Sequence, residues 1–396
     1  MSATPPPGEQ LDFSLVQGGP LFQLLVRTRL LRPPTDFLAR RIAVVVLVAW
    51  MPLLVLTVLS GQAFGGSRVP FLSDLGAHAR LLVAVPLLLA AEVIVHRRII
   101  GTVRQFLDRG IVVPEERAEF DGIVASAMRL RNSVPAELLL LAVAIFGAYS
   151  LGARYISLET PTWYTAASGD RMTLTAAGTW YFFVGLTSLR FLLLRWYFRL
   201  FVWYRFLWQV ARRLRLRLNP LHPDGAGGLG FLSNSVFAFE PILLAQTIGL
   251  SGIVAGKILF EGATLPEFKL EIVAWMAFLM ALVLLPLTFF VFHLSEAKRT
   301  GLREYGLVGS RYVAEFRRKW IEGGSSKDEA LVGTADIQSL ADLSNSYQVV
   351  KDMNLVPFGR ATIVRLVMMT ALPLAPLSLT MVPLEELVDR ALAVFF

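Results

Sequence analysis

The chain has 396 residues, of which 55% are hydrophobic and only 17% charged, a balance that excludes a soluble globular domain and fits a polytopic membrane protein. Its formal net charge of +8 is no nucleic-acid signature, because the cations follow the membrane topology derived below. The lack of cysteine excludes disulfides, thiolate metal sites, cysteine nucleophiles and palmitoylation.

Met1 to Gly19 reads as a flexible tail, with three consecutive prolines and a closing Gly18-Gly19. Leu21–Arg32 mixes apolar and basic residues and stops at Pro33-Pro34, the pattern of a short amphipathic helix on a membrane surface. The first apolar run begins only at Ile42, so it predicts an uncleaved anchor. Seven spans follow: Ile42–Ser60, Leu81–Val95, Ala136 to about Ala153, Leu174–Leu194, Val236–Phe260, Ile272–Leu294 and Ala361 to about Leu379. Between the second and third, two amphipathic helices are expected on either side of Val113-Pro114, and Arg154–Arg171 is a polar connection carrying Trp163 and Tyr164.

Leu174 to Arg217 contains no acidic residue and reads as one helix of about 66 Å, roughly twice a hydrocarbon core of about 30 Å. Its second half is expected to project into water or bend along the interface. There Arg195, Arg199, Arg213 and Arg217 fall within about 40° of one another as a basic stripe. After the sixth span, Leu302, Tyr305, Gly309, Tyr312, Phe316 and Trp320 mark a basic amphipathic helix. A linker at Gly323 and a more acidic helix through Ile337, Leu340, Leu343, Tyr347 and Val350 follow. Prolines at 373 and 376 predict a kink in the last span.

The predicted fold is therefore all-α. Residues 1–41 form a cytosolic tail with an amphipathic helix. Residues 42–294 form a six-helix membrane region that includes the basic extension and a glycine-rich loop at 219–234. Residues 295–360 form a cytosolic helical segment, and 361–396 the last span and a short amphipathic tail. With a cytosolic N-terminus, 29 of the 38 Lys and Arg residues fall on the inner side, 7 fall outside and Arg190 and Arg365 lie within spans. This predicts a cytoplasmic-membrane protein with its N-terminus inside and its C-terminus outside.

Two groups of candidate site residues follow. Glu92, Arg190, Arg195, Glu240, His293 and Arg365 all map to the inner halves of their spans, where ionisable side chains are costly and face one another or water, so they predict an arginine-rich polar vestibule open to the cytosol. The alternative is plain snorkelling near the interface. Arg199, Arg213 and Arg217, with His222, Asp224, Gly225, Gly227, Gly228 and Gly230, predict an anion or lipid-headgroup site, because glycine exposes backbone N–H groups and arginine presents planar forks. The competing reading is a tight turn that needs glycine for close packing. Gly225-x-Gly227-x-x-Gly230 matches the dinucleotide fingerprint but follows a helix where that motif needs a strand.

Each histidine has a carboxylate within four residues, which is close to chance, so no metal or other cofactor is assigned. No spacing matches a hydrolytic triad or a zinc protease, which ranks enzymatic readings low. Three classes remain: a transporter or channel, ranked first; a non-catalytic scaffold or signalling subunit; and an interfacial enzyme acting on a lipid or polyprenyl phosphate. The expected partners are anionic lipids and a second copy of the chain, with no nucleic acid.

Overall fold

The computed structural model describes residues 13–19, 23, 38–156, 162–168, 171–324 and 334–381. The amphipathic helix expected at Leu21–Arg32, Gln23 aside, and the tail after Met381 lie outside them.

Within these residues the chain is helical apart from one hairpin. α1 is Leu38–Leu59, α2 Leu75–Asp108, α3 Arg117–Arg131 and α4 Val134–Ile156. Next come β1 (Thr165–Ser168) and β2 (Arg171–Leu174), antiparallel with Thr165 opposite Leu174. α5 is Ala176–Arg213, α6 Leu232–Glu261, α7 Leu265–Ile321, α8 Ala335–Asp352 and α9 Arg360–Met381. Six of these helices are long and apolar enough to cross a membrane, and a seventh span follows if α3 and α4, bent by 42° at their junction, count as one. This is an all-α integral membrane fold. Large apolar side chains such as Leu47, Leu138, Phe146 and Met368 point away from the protein, as lipid-facing residues do.

The helices expected on either side of Val113-Pro114 are present: the first is continuous with α2, which runs unbroken to Asp108 and buries Ile99, Val103 and Phe106, and the second is α3. α5 stops at Arg213 because the chain turns extended at Leu214 and pairs with the segment after α2. Arg217 N–H donates to Ile111 O at 2.9 Å, and Leu216 bridges Val112. The second half of α5 packs against other helices: Trp203, Phe206, Leu207 and Val210 are buried, while Phe201 and Trp208 stay exposed. They belong to an aromatic base in which Phe106 meets Phe120, Phe206, Phe231 and Phe290 at 5.1 to 6.4 Å between ring centroids.

Residues 13–19, the described part of the N-terminal tail, join this base. Phe13, Leu15 and Val16 are buried, and Phe13 lies 4.8 Å from Phe206. Ser14 Oγ sits 2.8 Å from His96 Nδ1, and Arg131 donates to the Ser14 carbonyl. The alternating Phe13-Ser14-Leu15-Val16 is the apolar patch that the proline-rich context conceals.

α7 is about 85 Å long by its rise, so its second half forms an arm beyond the span. α8 packs along that arm, with Lys319 Nζ and Trp320 Nε1 donating to Asp336 Oδ2 at 3.0 and 2.9 Å. In α9 the prolines convert the last ten residues, Leu372–Met381, to 3-10 geometry, since each lacks the N–H that an α-helix needs.

Candidate functional site: an open cationic cavity and a closed ion cluster

The arginine-rich connections gather at one end of the molecule and the short, cation-poor loops at the other. Near the arginine-rich end, four helices contribute to a buried cluster of charge. Glu92 of α2 accepts from Arg41 of α1 through Oε2, and through Oε1 from Arg195 and Arg199 of α5 at 3.3 and 2.9 Å. Arg195 Nε also lies 2.8 Å from Glu137 Oε1 of α4, an ion pair angled away from hydrogen-bond geometry. The side chains of Arg41, Glu92, Arg195 and Arg199 are at most 7% exposed. Arg199 stacks over the Trp196 ring at 4.6 Å. Such a cluster persists in an apolar setting because each charge has its counter-charge in contact. The cavity beside it, against Gly18, Gly19 and Glu137, holds only about 10 Å³, so the cluster is sealed.

At the opposite end a cavity of about 510 Å³ lies between α2, α5 and α6, beneath the loop before α2 and the residues leading into the hairpin. Among the described residues, four cations, Arg68, Arg80, Arg190 and Lys257, line it with two carboxylates, Asp74 and Glu261. Asp74 is committed to structure: it caps α2 through the Ala77 N–H at 2.9 Å and accepts from Trp163 Nε1 at 2.9 Å. That contact holds Trp163, which the polar connection before the hairpin carries, as a fully buried side chain. Arg80 Nη1 donates to the Tyr181 hydroxyl at 2.7 Å, and Arg68 Nη2 to the Phe260 carbonyl at 3.0 Å.

Both helices carrying these residues widen at this level. α2 adopts π-helical geometry over Ala79–Ala84 and α5 over Tyr181–Leu186, so Arg80 and Tyr181 sit in the opening turns of two facing π segments. Such segments are rare in helices and frequent at functional sites. Above them α2 and α6 cross at Gly76 and Gly252. A Cβ on Gly252 would lie 2.9 Å from Gly76 Cα, so only glycine permits the approach.

The six residues expected to form one vestibule are distributed over separate places. Glu92 and Arg195 meet in the sealed cluster. Glu240 and Arg365 pair at 3.1 Å, with the Arg365 guanidinium 4.0 Å from the Phe237 ring centroid. His293 is half-buried, with no hydrogen-bond partner on Nδ1. Arg190 lines the cavity at the other end and not the cluster. Five residues on an α-helix amount to about 7.5 Å and 140°, enough to send Arg190 and Arg195 to different sites.

The second candidate group also divides. Arg199 is in the buried cluster, about 21 Å by helical rise from Arg213, which is exposed. Arg217 is exposed on the extended segment rather than on the helix stripe. In the glycine loop the backbone N–H groups already hold an anion, and it belongs to the chain: Asp224 accepts from Ala226 and Gly230 at 2.8 Å and from Gly228 at 3.1 Å. Burial pushes this carboxyl upward, but the three N–H groups and His222, 2.9 Å away, outweigh it and hold Asp224 below the ordinary carboxylate range. Gly228, at φ +100°, supplies a conformation that L-residues avoid. The loop docks α8's end, since Asn354 N–H donates to Gly225 O at 2.7 Å. Beside it, Asp224, Ala226 and Gly230 line a cavity of about 340 Å³ with Arg109, Asn354 and Phe358.

Arg41, Arg80, Glu137 and Lys257 join these sites as well, brought there by tertiary packing. The signals were present: an arginine one residue before the apolar run at Leu81, and an acid in the first turn of the third span. No protein-family profile, curated protein sequence or solved structure matches the chain.

Proposed function

We propose that this protein moves an anionic substrate across the membrane, with the cavity bounded by Arg80, Arg190 and Lys257 as its substrate chamber. The observation carrying this reading is the placement of Arg68, Arg80, Arg190 and Lys257, among the described residues, around about 510 Å³ of space between spanning helices, where cations attract an anion more strongly than in water. We assign the buried ion cluster from four helices as the closure that alternating access needs on the far side of this chamber. The arginine asymmetry supports an N-terminus in the cytosol, which makes the cavity face outward and the cluster the inner gate. A reporter active only in the cytosol should give signal when fused after Gly323 and none after Gly262; the reverse pattern inverts the direction of transport.

Two assays on proteoliposomes test the function: release of trapped radiolabelled phosphate, and transbilayer movement of a fluorescent phosphatidylglycerol. Protein-dependent movement in either assay that falls in Arg190→Gln supports transport. No protein-dependent movement in both overturns it. The α7–α8 arm, with Leu307, Val313 and Ile321 exposed, favours the scaffold reading as the one left standing in that case.

A further inference from the structure

The cationic cavity does not end in a polar floor. It continues into a second space of about 330 Å³ between α2, α5, α6 and α7, and the two share Arg80, Leu189, Leu193 and Ile253 as common walls. The lining of this second space is almost wholly apolar, with Ala84, Ala245, Leu250 and Trp275 contributing. Its two polar residues other than Arg80 and Trp275 satisfy each other, because the Tyr197 hydroxyl donates to Gln246 Oε1. Trp275 Nε1, in contrast, is a buried donor with no hydrogen-bond partner. A site for a small hydrated anion has no use for an adjoining dry groove of this size.

We infer that the substrate chamber takes an anionic glycerophospholipid, its headgroup phosphate between Arg80 and Lys257 and one hydrocarbon chain in the groove along Leu193, Leu250 and Trp275. This inference rests on the proposed transport reading and names its substrate class. The chemistry matches at each level. Arginine and lysine recognise phosphate by charge-assisted hydrogen bonds. The unpartnered Trp275 N–H meets an ester oxygen at the junction between headgroup and chain. The groove keeps the chain in apolar surroundings, so the lipid enters without exposing hydrocarbon to water. Gly249 and Gly256 of α6, lining the two spaces, leave the passage unobstructed by side chains.

The test measures binding, so it does not depend on transport. Purified full-length protein is titrated with phosphatidylglycerol, phosphatidylcholine and glycerol 3-phosphate, with native mass spectrometry counting bound molecules and bromine-labelled chains reporting proximity by quenching tryptophan fluorescence. Phosphatidylglycerol should bind in preference to phosphatidylcholine, and glycerol 3-phosphate should compete poorly. Arg80→Gln should weaken phosphatidylglycerol binding about tenfold, the loss of one charge-assisted contact. Arg213→Gln/Arg217→Gln, exposed at the other end, should change it less than twofold. Trp275→Phe should remove the largest share of the quenching. Binding of glycerol 3-phosphate as tight as that of the lipid overturns the lipid assignment and leaves anion transport standing. Equal losses in the Arg80 and the Arg213/Arg217 variants also overturn it, because bulk attraction to anionic lipid then accounts for the binding. Lipid binding as inferred without flux in proteoliposomes retains the site and removes transport.

Discussion

Two charged regions share one helix and have opposite designs. At Arg195 and Arg199, α5 faces a space filled by carboxylates from α2 and α4, and little room remains beside them. At Arg190, five residues earlier, the same helix lines a cavity of about 510 Å³. The glycine loop follows the first design, with Asp224 occupying the N–H groups that an external anion would use. The difference teaches that an arginine-rich stretch can take a ligand only where packing leaves room beside it, and about 510 Å³ remains at the cavity against about 10 Å³ at the cluster.

The largest effect is expected from breaking the sealed side. Glu92→Gln leaves Arg41, Arg195 and Arg199 without their shared carboxylate, and removing one partner of a buried ion pair costs about 3–5 kcal/mol. Thermal unfolding in detergent should show a large loss of stability, restored in part when Arg199→Gln is added. A loss of under about 1 kcal/mol means that water reaches the cluster and that it is no seal.

The glycine loop sharpens the same contrast at lower magnitude. Asp224→Asn keeps the shape of the side chain but removes the charge that three N–H groups converge on, with an expected cost of about 1–3 kcal/mol. The sign of the pH effect follows from the depressed folded value. The contribution is complete above the ordinary carboxylate range and is lost as pH falls through the folded pKa, so acidification below about pH 4 should destabilise the wild type more than Asp224→Asn. Equal acid sensitivity in both removes Asp224 as the loop's anchor.

Gly252→Ala tests the wall of the open side. The added methyl would sit 3.0 Å from Ala79 Cβ and 2.9 Å from Gly76 Cα, so α2 and α6 must separate at a cost of about 1–3 kcal/mol. Their separation also moves Arg80 from Lys257, so anion binding should weaken with stability. Unchanged binding places the recognition elsewhere.

Hydropathy made most of the membrane region legible, because an apolar run of about 20 residues has few other uses. It did not show where helices end, since α2 and α5 continue on contacts with partners distant in sequence, such as Phe106 with Phe231. The pairing of Glu92 with Arg195, and of Glu240 with Arg365, follows from the cost of lone charge, and those residues were identifiable one by one. What one sequence does not encode locally is which helix faces which. Arg190 and Arg195 look equivalent until the rotation of α5 against α2 and α4 is known. Nor does the glycine loop announce that its anion is Asp224, one residue before the first glycine, because the turn that folds the carboxylate back over Gly228 and Gly230 is set by backbone geometry.

The smallest effect on stability should come from Lys257→Gln, and for that reason it separates structure from recognition most cleanly. Lys257 is exposed on α6, with its Nζ 5.5 Å from the centroid of the Phe268 ring, and it heads the wall that descends to Gly252. Exposed substitutions of this kind change stability by no more than about 0.5 kcal/mol. Glutamine retains the length and the hydrogen-bonding capacity of the side chain and loses only the charge. If the cavity holds an anion, binding of phosphatidylglycerol should fall severalfold while the unfolding temperature stays within error, and the residual binding should be less sensitive to salt because one cation fewer faces the ligand. Lysine is the weaker of the two recognition elements, a point charge beside Arg80's fork, so the loss should be smaller than in Arg80→Gln. Identical binding and salt dependence in wild type and Lys257→Gln would show that the charge at the cavity mouth serves the protein alone, and the contrast between the open and the sealed side would then be one of packing and not of function.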